Sequence, residues 1–129
     1  MVGLFLLFWI GITAQEQKKP YVILVSLDGF RWDYPNYFET PNLDKMAKNG
    51  VKAKSMQPSY PTKTFPNHYS IATGLYPDHH GIVNNNFYDP TSKKIFTLKN
   101  ESKQNSEFHG GNPIWNLAAE QEVKPACFY

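Results

Sequence analysis

The segment PTKTFPNHYSIATGLYPDHHGI, Pro61 to Ile82, places Thr64 just ahead of what reads as a short helix, Pro66 to Thr73, stopped by Gly74. A threonine there has two uses. Its hydroxyl can cap the helix by accepting from a free backbone N–H of the first turn. It can also act as a nucleophile, because a helix N-terminus favours the negative charge of an alkoxide. A second reactive group stands upstream in YVILVSLDGF, where Asp28 closes an apolar run. Asp-Gly is a common turn pair, and a turn needs no metal. A carboxylate and a hydroxyl can also share one cation, which lowers the hydroxyl's pKa much as it lowers that of bound water. His68, His79 and His80 fall within thirteen residues and invite a metal site. His79 and His80 are sequence neighbours, whose side chains usually point apart. Lys63 can meet a phosphate or brace the loop.

The elements that must position these groups follow from pattern. Tyr21 to Leu27 is an almost unbroken β-branched and apolar run, suited to a central parallel strand buried on both faces. Asp28 then sits at the C-terminal end of that strand, the sheet edge at which ligands bind in open α/β folds. In TPNLDKMAKNG, Thr40 reads as an N-cap, Pro41 as the first helical residue and Gly50 as the stop. Leu43, Met46 and Ala47 make one apolar face. Val51 to Met56 resumes an extended segment, so strand, helix and strand suggest a parallel βαβ unit. YDPTSKK, between Phe87 and Ile95, predicts a hairpin turn. Asn112-Pro113 predicts a cap opening a helix to about Gln121, and VKPACFY a further strand. A sheet of so few strands is incomplete, and the chain reads as the front part of a longer protein.

Composition bounds the class. With 129 residues, 41% of them hydrophobic and 16% aromatic, the chain fits about one packed domain. A net charge of +2, without a basic stripe, argues against binding a nucleic-acid duplex. The single cysteine, Cys127, excludes an internal disulfide framework. Leu4 to Ile12 is too short to span the ~30 Å of a bilayer core. Followed by TAQEQKKP, it has the form of a signal-peptide core with cleavage near Ala14, although no Lys or Arg precedes it. Residues 1–14 are therefore expected to be a signal peptide, 15–20 a linker, and 21–129 the start of a catalytic domain. The expected location is periplasmic or extracellular. Asn100 to Ser102 forms an N-glycosylation sequon.

LVSLDGFRWDY, YPTKTFPNHYSIATGLYPDHHGIV, NNNFYDP and PIW together resemble the nucleotide pyrophosphatase/phosphodiesterase family of the alkaline phosphatase superfamily. The resemblance runs from about Tyr21 to Tyr129. It implies an α/β, alkaline-phosphatase-like fold with a mostly parallel central sheet flanked by helices. It further implies a two-zinc hydrolase of nucleotide phosphodiester or pyrophosphate bonds that works through a phospho-threonine and releases a nucleoside 5′-monophosphate. Asp28 matches a zinc-ligating aspartate, and Thr64 matches the threonine that is both zinc ligand and nucleophile. Phe65 matches the aromatic on which a nucleobase stacks. Asn85, 21 positions after Thr64, matches the asparagine that hydrogen-bonds a phosphate oxygen. Leu98 and Lys103 fall where family members use a leucine and a lysine for the nucleotide.

The chemistry agrees with that assignment. A phosphodiester transition state spreads charge over non-bridging oxygens, where an amide donor such as Asn85 is useful. Two metals ~4 Å apart can clamp the attacking and leaving oxygens of an in-line displacement. The family's remaining Asp and His zinc ligands match nothing here, which implies that His68, His79 and His80 are structural and that residues 1–129 alone are inactive. The alternatives are a phosphomonoesterase of the same superfamily and a binding protein that kept the fold and lost the metals. A sulfatase is excluded, for no C/S-x-P-x-R pattern occurs.

Overall fold

Phe87 and Phe96 face one another across an antiparallel hairpin, and their rings stack at 5.0 Å between centroids. The computed structural model describes residues 20–99 and 101–128, without the side chains of Ser102 and Lys103. The expected signal peptide, most of the linker and Asn100 of the sequon lie outside the described residues. Strand β1 is Asn86–Asp89 and strand β2 is Lys94–Thr97. Their register pairs Asn86 with Thr97, Phe87 with Phe96, Tyr88 with Ile95, and Asp89 with Lys94. Alternation along a strand then sends the two phenylalanines inward and leaves Tyr88 and Ile95 exposed. The turn is held by Asp89, whose carboxylate accepts from the Thr91 N–H at 2.9 Å and from the Ser92 hydroxyl at 2.6 Å. Lys93 completes it with a left-handed φ of 57°.

The core is aromatic and gathers around this hairpin. Ile82, Phe96 and Phe108 are buried, with Phe65, Tyr69, Phe87 and Leu98 packed against them. Phe108 meets Phe96 edge to face at 5.4 Å and Phe87 at 5.8 Å. Such pairs add about 0.5–1.5 kcal/mol each to the area they bury.

Among the described residues four α-helices carry most of the rest. Helix α1 spans Pro41–Asn49, with Pro41 at its start and Gly50 at its end, as the punctuation predicts. Thr40 occupies the N-cap, but its hydroxyl donates to the Asp44 carboxylate at 3.2 Å rather than capping a backbone N–H. The predicted apolar face of α1 is uncovered: Leu43 and Ala47 are half-buried, and Met46 is 70% exposed. Helix α2 spans Thr64–Thr73 and closes on Gly74, whose φ of 71° is the left-handed region that glycine reaches without strain. Helix α3 is the single turn Pro77–His80, and helix α4 spans Ile114–Glu120, capped by Pro113 rather than Asn112.

The expected parallel sheet does not form among the described residues, whose one sheet is the β1–β2 hairpin. Tyr21 to Leu27 is irregular and outside any sheet, with Tyr21 at 100% and Val25 at 69% exposure. Val51 to Met56 and the segment from Val123 are likewise irregular and exposed, so no βαβ unit closes. The physical reason is that a buried parallel strand exists only through neighbours on both edges and layers on both faces. Among the described residues none supplies them.

His80 ties α2 to α3. It is fully buried; its Nδ1 accepts from the Ile82 N–H at 3.1 Å, so Nε2 carries the proton and donates to Ser70 Oγ at 3.0 Å. Burial pushes its pKa below the ordinary histidine value. Below about pH 6.5 the unfolded chain therefore takes up a proton that the folded chain resists, and stability falls as pH drops through that window. The carboxylates of Asp33, Asp78, Asp89 and Glu107 are shifted down by their hydrogen bonds and lose their contribution only at lower pH. The thermal unfolding midpoint should thus fall between pH 7 and 5. His80→Gln should lower the midpoint throughout yet flatten that slope, and an unchanged slope in scanning calorimetry would remove His80 as its cause.

Candidate functional site

Thr64 is the first residue of α2, and Lys63, in extended conformation, is the N-cap. The capping use of the Thr64 hydroxyl is therefore absent. Instead Oγ1 donates to Asp28 Oδ2 at 3.1 Å across 36 residues of sequence. The chain reaches this point through a braced approach: the Ser59 N–H donates to Asn67 Oδ1 at 3.1 Å, and the Lys63 N–H to the Pro61 carbonyl at 2.7 Å. Thr64 is half-buried and Asp28 exposed, so the pair lies at a surface that a ligand can reach.

Asp28 is placed by the turn that follows it. Gly29 has a φ of +64°, which favours glycine on conformational grounds alone, since a Cβ there would meet nothing within 4 Å. Two residues on, Arg31 grips Asp33 with Nε and Nη2, the latter at 2.7 Å from Oδ2. The guanidinium also lies over the rings of Tyr34 and Tyr37, at 5.7 and 5.9 Å. The hydrogen bond from Arg31 holds the Asp33 carboxyl below its usual range. This fork anchors a loop whose upstream run has no sheet to hold it.

Asn85 reaches the same helix start. Its Oδ1 accepts the Phe65 N–H at 3.0 Å, satisfying one of the four orphan donors of the helix. That bond fixes the amide orientation, because the oxygen is committed to the helix and Nδ2 is left as the donor end. Phe65 is half-buried and meets Phe96 edge to face at 6.0 Å, so its ring belongs to the core as well as to the site. Leu98 packs against the same cluster. Lys103 lies in the 3-10 turn Glu101–Gln104, but its side chain is outside the described residues. Leu24, Ser26, Phe65, His68 and Leu98 line a common open hollow of about 980 Å³.

The structure thus brings Asp28 to Thr64 and Asn85 to Phe65 at the start of one helix, and Leu98 shares the hollow with Phe65. It also brings in His68, which the sequence reading weighed as a metal ligand and took as structural, and Ser26, which that reading passed over. Ser26 Oγ lies 2.7 Å from His68 Nδ1, and His68 Nε2 lies 3.8 Å from Asp28 Oδ1. The i to i+4 spacing of Thr64 and His68 puts both on one helix face and is the signal that could have found His68. Nothing in a serine within an apolar run marks Ser26. The other histidines stand apart: His79 pairs with Asp78 at 2.9 Å, and His109 donates from Nδ1 to the Asn105 carbonyl at 3.0 Å.

Two oxygen ligands of one tetrahedral zinc, each ~2.0–2.2 Å from the metal, sit roughly 3.3–3.6 Å apart. The Thr64 and Asp28 oxygens, 3.1 Å apart in a hydrogen bond, need only a small outward shift to serve as two such donors. Among the described residues no cluster of three or more His, Cys, Asp or Glu side chains could complete a metal site. Nor is any helix among them long and apolar enough to cross a membrane.

Residues 22–129 match the family model for type I phosphodiesterase / nucleotide pyrophosphatase. The chain is 49% identical over 112 residues to ectonucleotide pyrophosphatase/phosphodiesterase family member 3 of Mus musculus, covering 85% of this chain and 13% of that protein. It is 48% identical over 114 residues to family member 1 of Homo sapiens, covering 87% and 12% respectively. To venom phosphodiesterase 2 of Crotalus adamanteus it is 46% identical over 118 residues, covering 90% and 14%. The chain therefore spans about one eighth of the length of these relatives. The matched segment contains the whole Asp28, Thr64 and Asn85 arrangement, and on that match the chain belongs to the type I phosphodiesterase / nucleotide pyrophosphatase family.

Proposed function

We propose that this chain is the front portion of the catalytic domain of an exported, zinc-dependent phosphodiesterase. The enzyme cleaves nucleotide phosphodiester or pyrophosphate bonds and releases nucleoside 5′-monophosphate. The observation that carries the reading is the Thr64 hydroxyl at the start of α2, turned onto the Asp28 carboxylate at 3.1 Å. Family membership supports an alkaline-phosphatase-like fold, and the unpaired Tyr21–Leu27 run is its first parallel strand once the neighbouring strands are present. Those strands, the remaining ligands of a two-zinc centre and the rest of the nucleotide subsite are assigned to sequence outside residues 1–129.

Asp28 and Thr64 are the residues that would hold zinc here. When bound, the metal lowers the pKa of a coordinated hydroxyl and draws charge from phosphoryl oxygens. The chain's own part is positional. The hydrogen bond to Asp28 directs the Thr64 proton away from the approaching ester, toward Oδ2. Thr64 Oγ1 loses its proton to solvent and forms a bond to phosphorus in line with the leaving oxygen, whose bond to phosphorus breaks and which takes up a proton from solvent. The product is a threonine phosphoester, and attack by water then breaks the Oγ1–P bond to release the monophosphate. The helix start favours the charge at Oγ1. Asn85, with Oδ1 held by the Phe65 N–H, presents Nδ2 to a non-bridging oxygen. Phe65, buried on the core side, offers the exposed remainder of its ring to a base, beside Leu98. Lys103 serves the nucleotide in the same subsite.

Thr64→Ala in the full-length protein should abolish nearly all turnover of a nitrophenyl nucleotide ester, and Thr64→Ser should retain part of it. Wild-type turnover by the alanine variant, at equal folded protein, sinks the nucleophile assignment. Asn85→Ala should lower kcat by about 10²–10³, the usual cost of one such donor, with little change in KM or zinc content. A fall in zinc content instead would assign Asn85 to the metal. Expressed alone, residues 15–129 should neither hold zinc tightly nor turn over the ester, because a catalytic zinc usually needs about three protein ligands. Stoichiometric zinc in that segment, read by metal analysis, would show that its own histidines complete a site.

A further inference from the structure

We infer that His68, held by Ser26, is a positioning residue for the Asp28 carboxylate. The inference rests on the metal-binding reading of Asp28 and Thr64 and goes beyond it to residues that are not zinc ligands there. Thr64 and His68 stand one turn apart on α2 and address the two oxygens of one carboxylate, Thr64 at Oδ2 and His68 at Oδ1. A carboxylate oxygen only accepts, so the tautomer that lets His68 serve it has the proton on Nε2, with Nδ1 accepting from the Ser26 hydroxyl. At 3.8 Å the approach of Nε2 to Oδ1 is a polar contact rather than a formed hydrogen bond. The other nitrogen, Nδ1, is gripped by Ser26 Oγ at 2.7 Å, which fixes the ring plane. Ser26 lies two residues before Asp28, so one short stretch supplies both the anchor of the ring and the group it faces.

The arrangement has a consequence for ligand geometry. Asp28 is exposed, and its segment lacks sheet pairing among the described residues. A carboxylate on such a segment can rotate, and a metal-binding oxygen must not. With Oδ1 facing the imidazole, Oδ2 is the oxygen left beside Thr64 Oγ1, where a cation would meet both. Partners that orient a ligating group in this way are typically worth about 10–100-fold in metal affinity or activity. The competing account is that Ser26–His68 merely staples the apolar run to α2.

Two isosteric changes separate these accounts in the full-length protein. His68→Gln places a side-chain amide donor near the Nε2 position and gives up the Nδ1 partner of Ser26. His68→Asn keeps a group near Nδ1 for Ser26 and removes the donor to Asp28. Zinc affinity is read by competition with a chromogenic chelator, alongside thermal unfolding and the split between kcat and KM. Positioning requires about tenfold or more weaker zinc binding and lower kcat in His68→Asn, with KM little changed, and recovery to within about threefold in His68→Gln. Wild-type zinc affinity in His68→Asn overturns the proposal. So does equal loss in both variants, or a loss that follows thermal stability alone, since each is what a staple predicts. Asp28→Asn is the control: if it holds zinc as tightly as the wild type, the metal-binding reading itself fails. If it loses zinc while His68→Asn does not, only the role of His68 is wrong.

Discussion

The hydrogen bond from the Phe65 N–H to Asn85 Oδ1 is the constraint on which the site depends. It joins the first turn of α2 to the residue that leads into β1, and β1 is fixed by the stacked Phe87–Phe96 pair at the centre of the core. A helix start leaves backbone donors that must find partners. Here one partner is the side chain of Asn85, which spends its oxygen on the residue after Thr64 and keeps its amide donor end. The best-packed part of the described chain is thus wired directly to its most exposed chemistry. Phe65 reinforces the connection, since its backbone makes the bond while its ring lies against Phe96.

A threonine at a helix N-terminus commonly spends its hydroxyl on the backbone. One position decides that this one does not. With Lys63 as N-cap, Thr64 is already helical, and its hydroxyl cannot fold back onto the N–H groups ahead of it. It turns outward to Asp28. The same register puts His68 one turn along on the same face, beside the same carboxylate. The site is therefore a meeting of one helix face with one short segment, Ser26 to Asp28, held by polar contacts across about forty residues of sequence.

That segment shows how local and tertiary forces divide. Tyr21 to Leu27 has the composition of a buried strand, yet the side chains are exposed and the backbone unpaired. Burial of apolar area is worth about 25 cal/mol per Å² only when something covers the surface. The segment is positioned by its polar ends instead, with Ser26 and Asp28 on α2 and the Arg31–Asp33 fork beyond Gly29. The short helices and the hairpin, which satisfy their own backbones locally, need no such help.

By itself the sequence determined the elements whose hydrogen bonds close within a few residues. Thr40-Pro41 and Gly50 bounded α1, Gly74 ended α2, and YDPTSKK announced the hairpin, because proline, glycine and aspartate restrict the backbone where they stand. It also carried the family and the grouping of Asp28, Thr64, Phe65 and Asn85, through motifs too long and ordered to arise by chance. Only the tertiary structure decided that the Thr64 hydroxyl serves Asp28 rather than the helix, that Asn85 is oriented by the Phe65 N–H, and that His68 and Ser26 join them. It likewise decided that the apolar run beside Asp28 is irregular and, among the described residues, has no sheet partner. Pairing and side-chain orientation depend on what lies opposite in space, and no residue's own preferences contain that information.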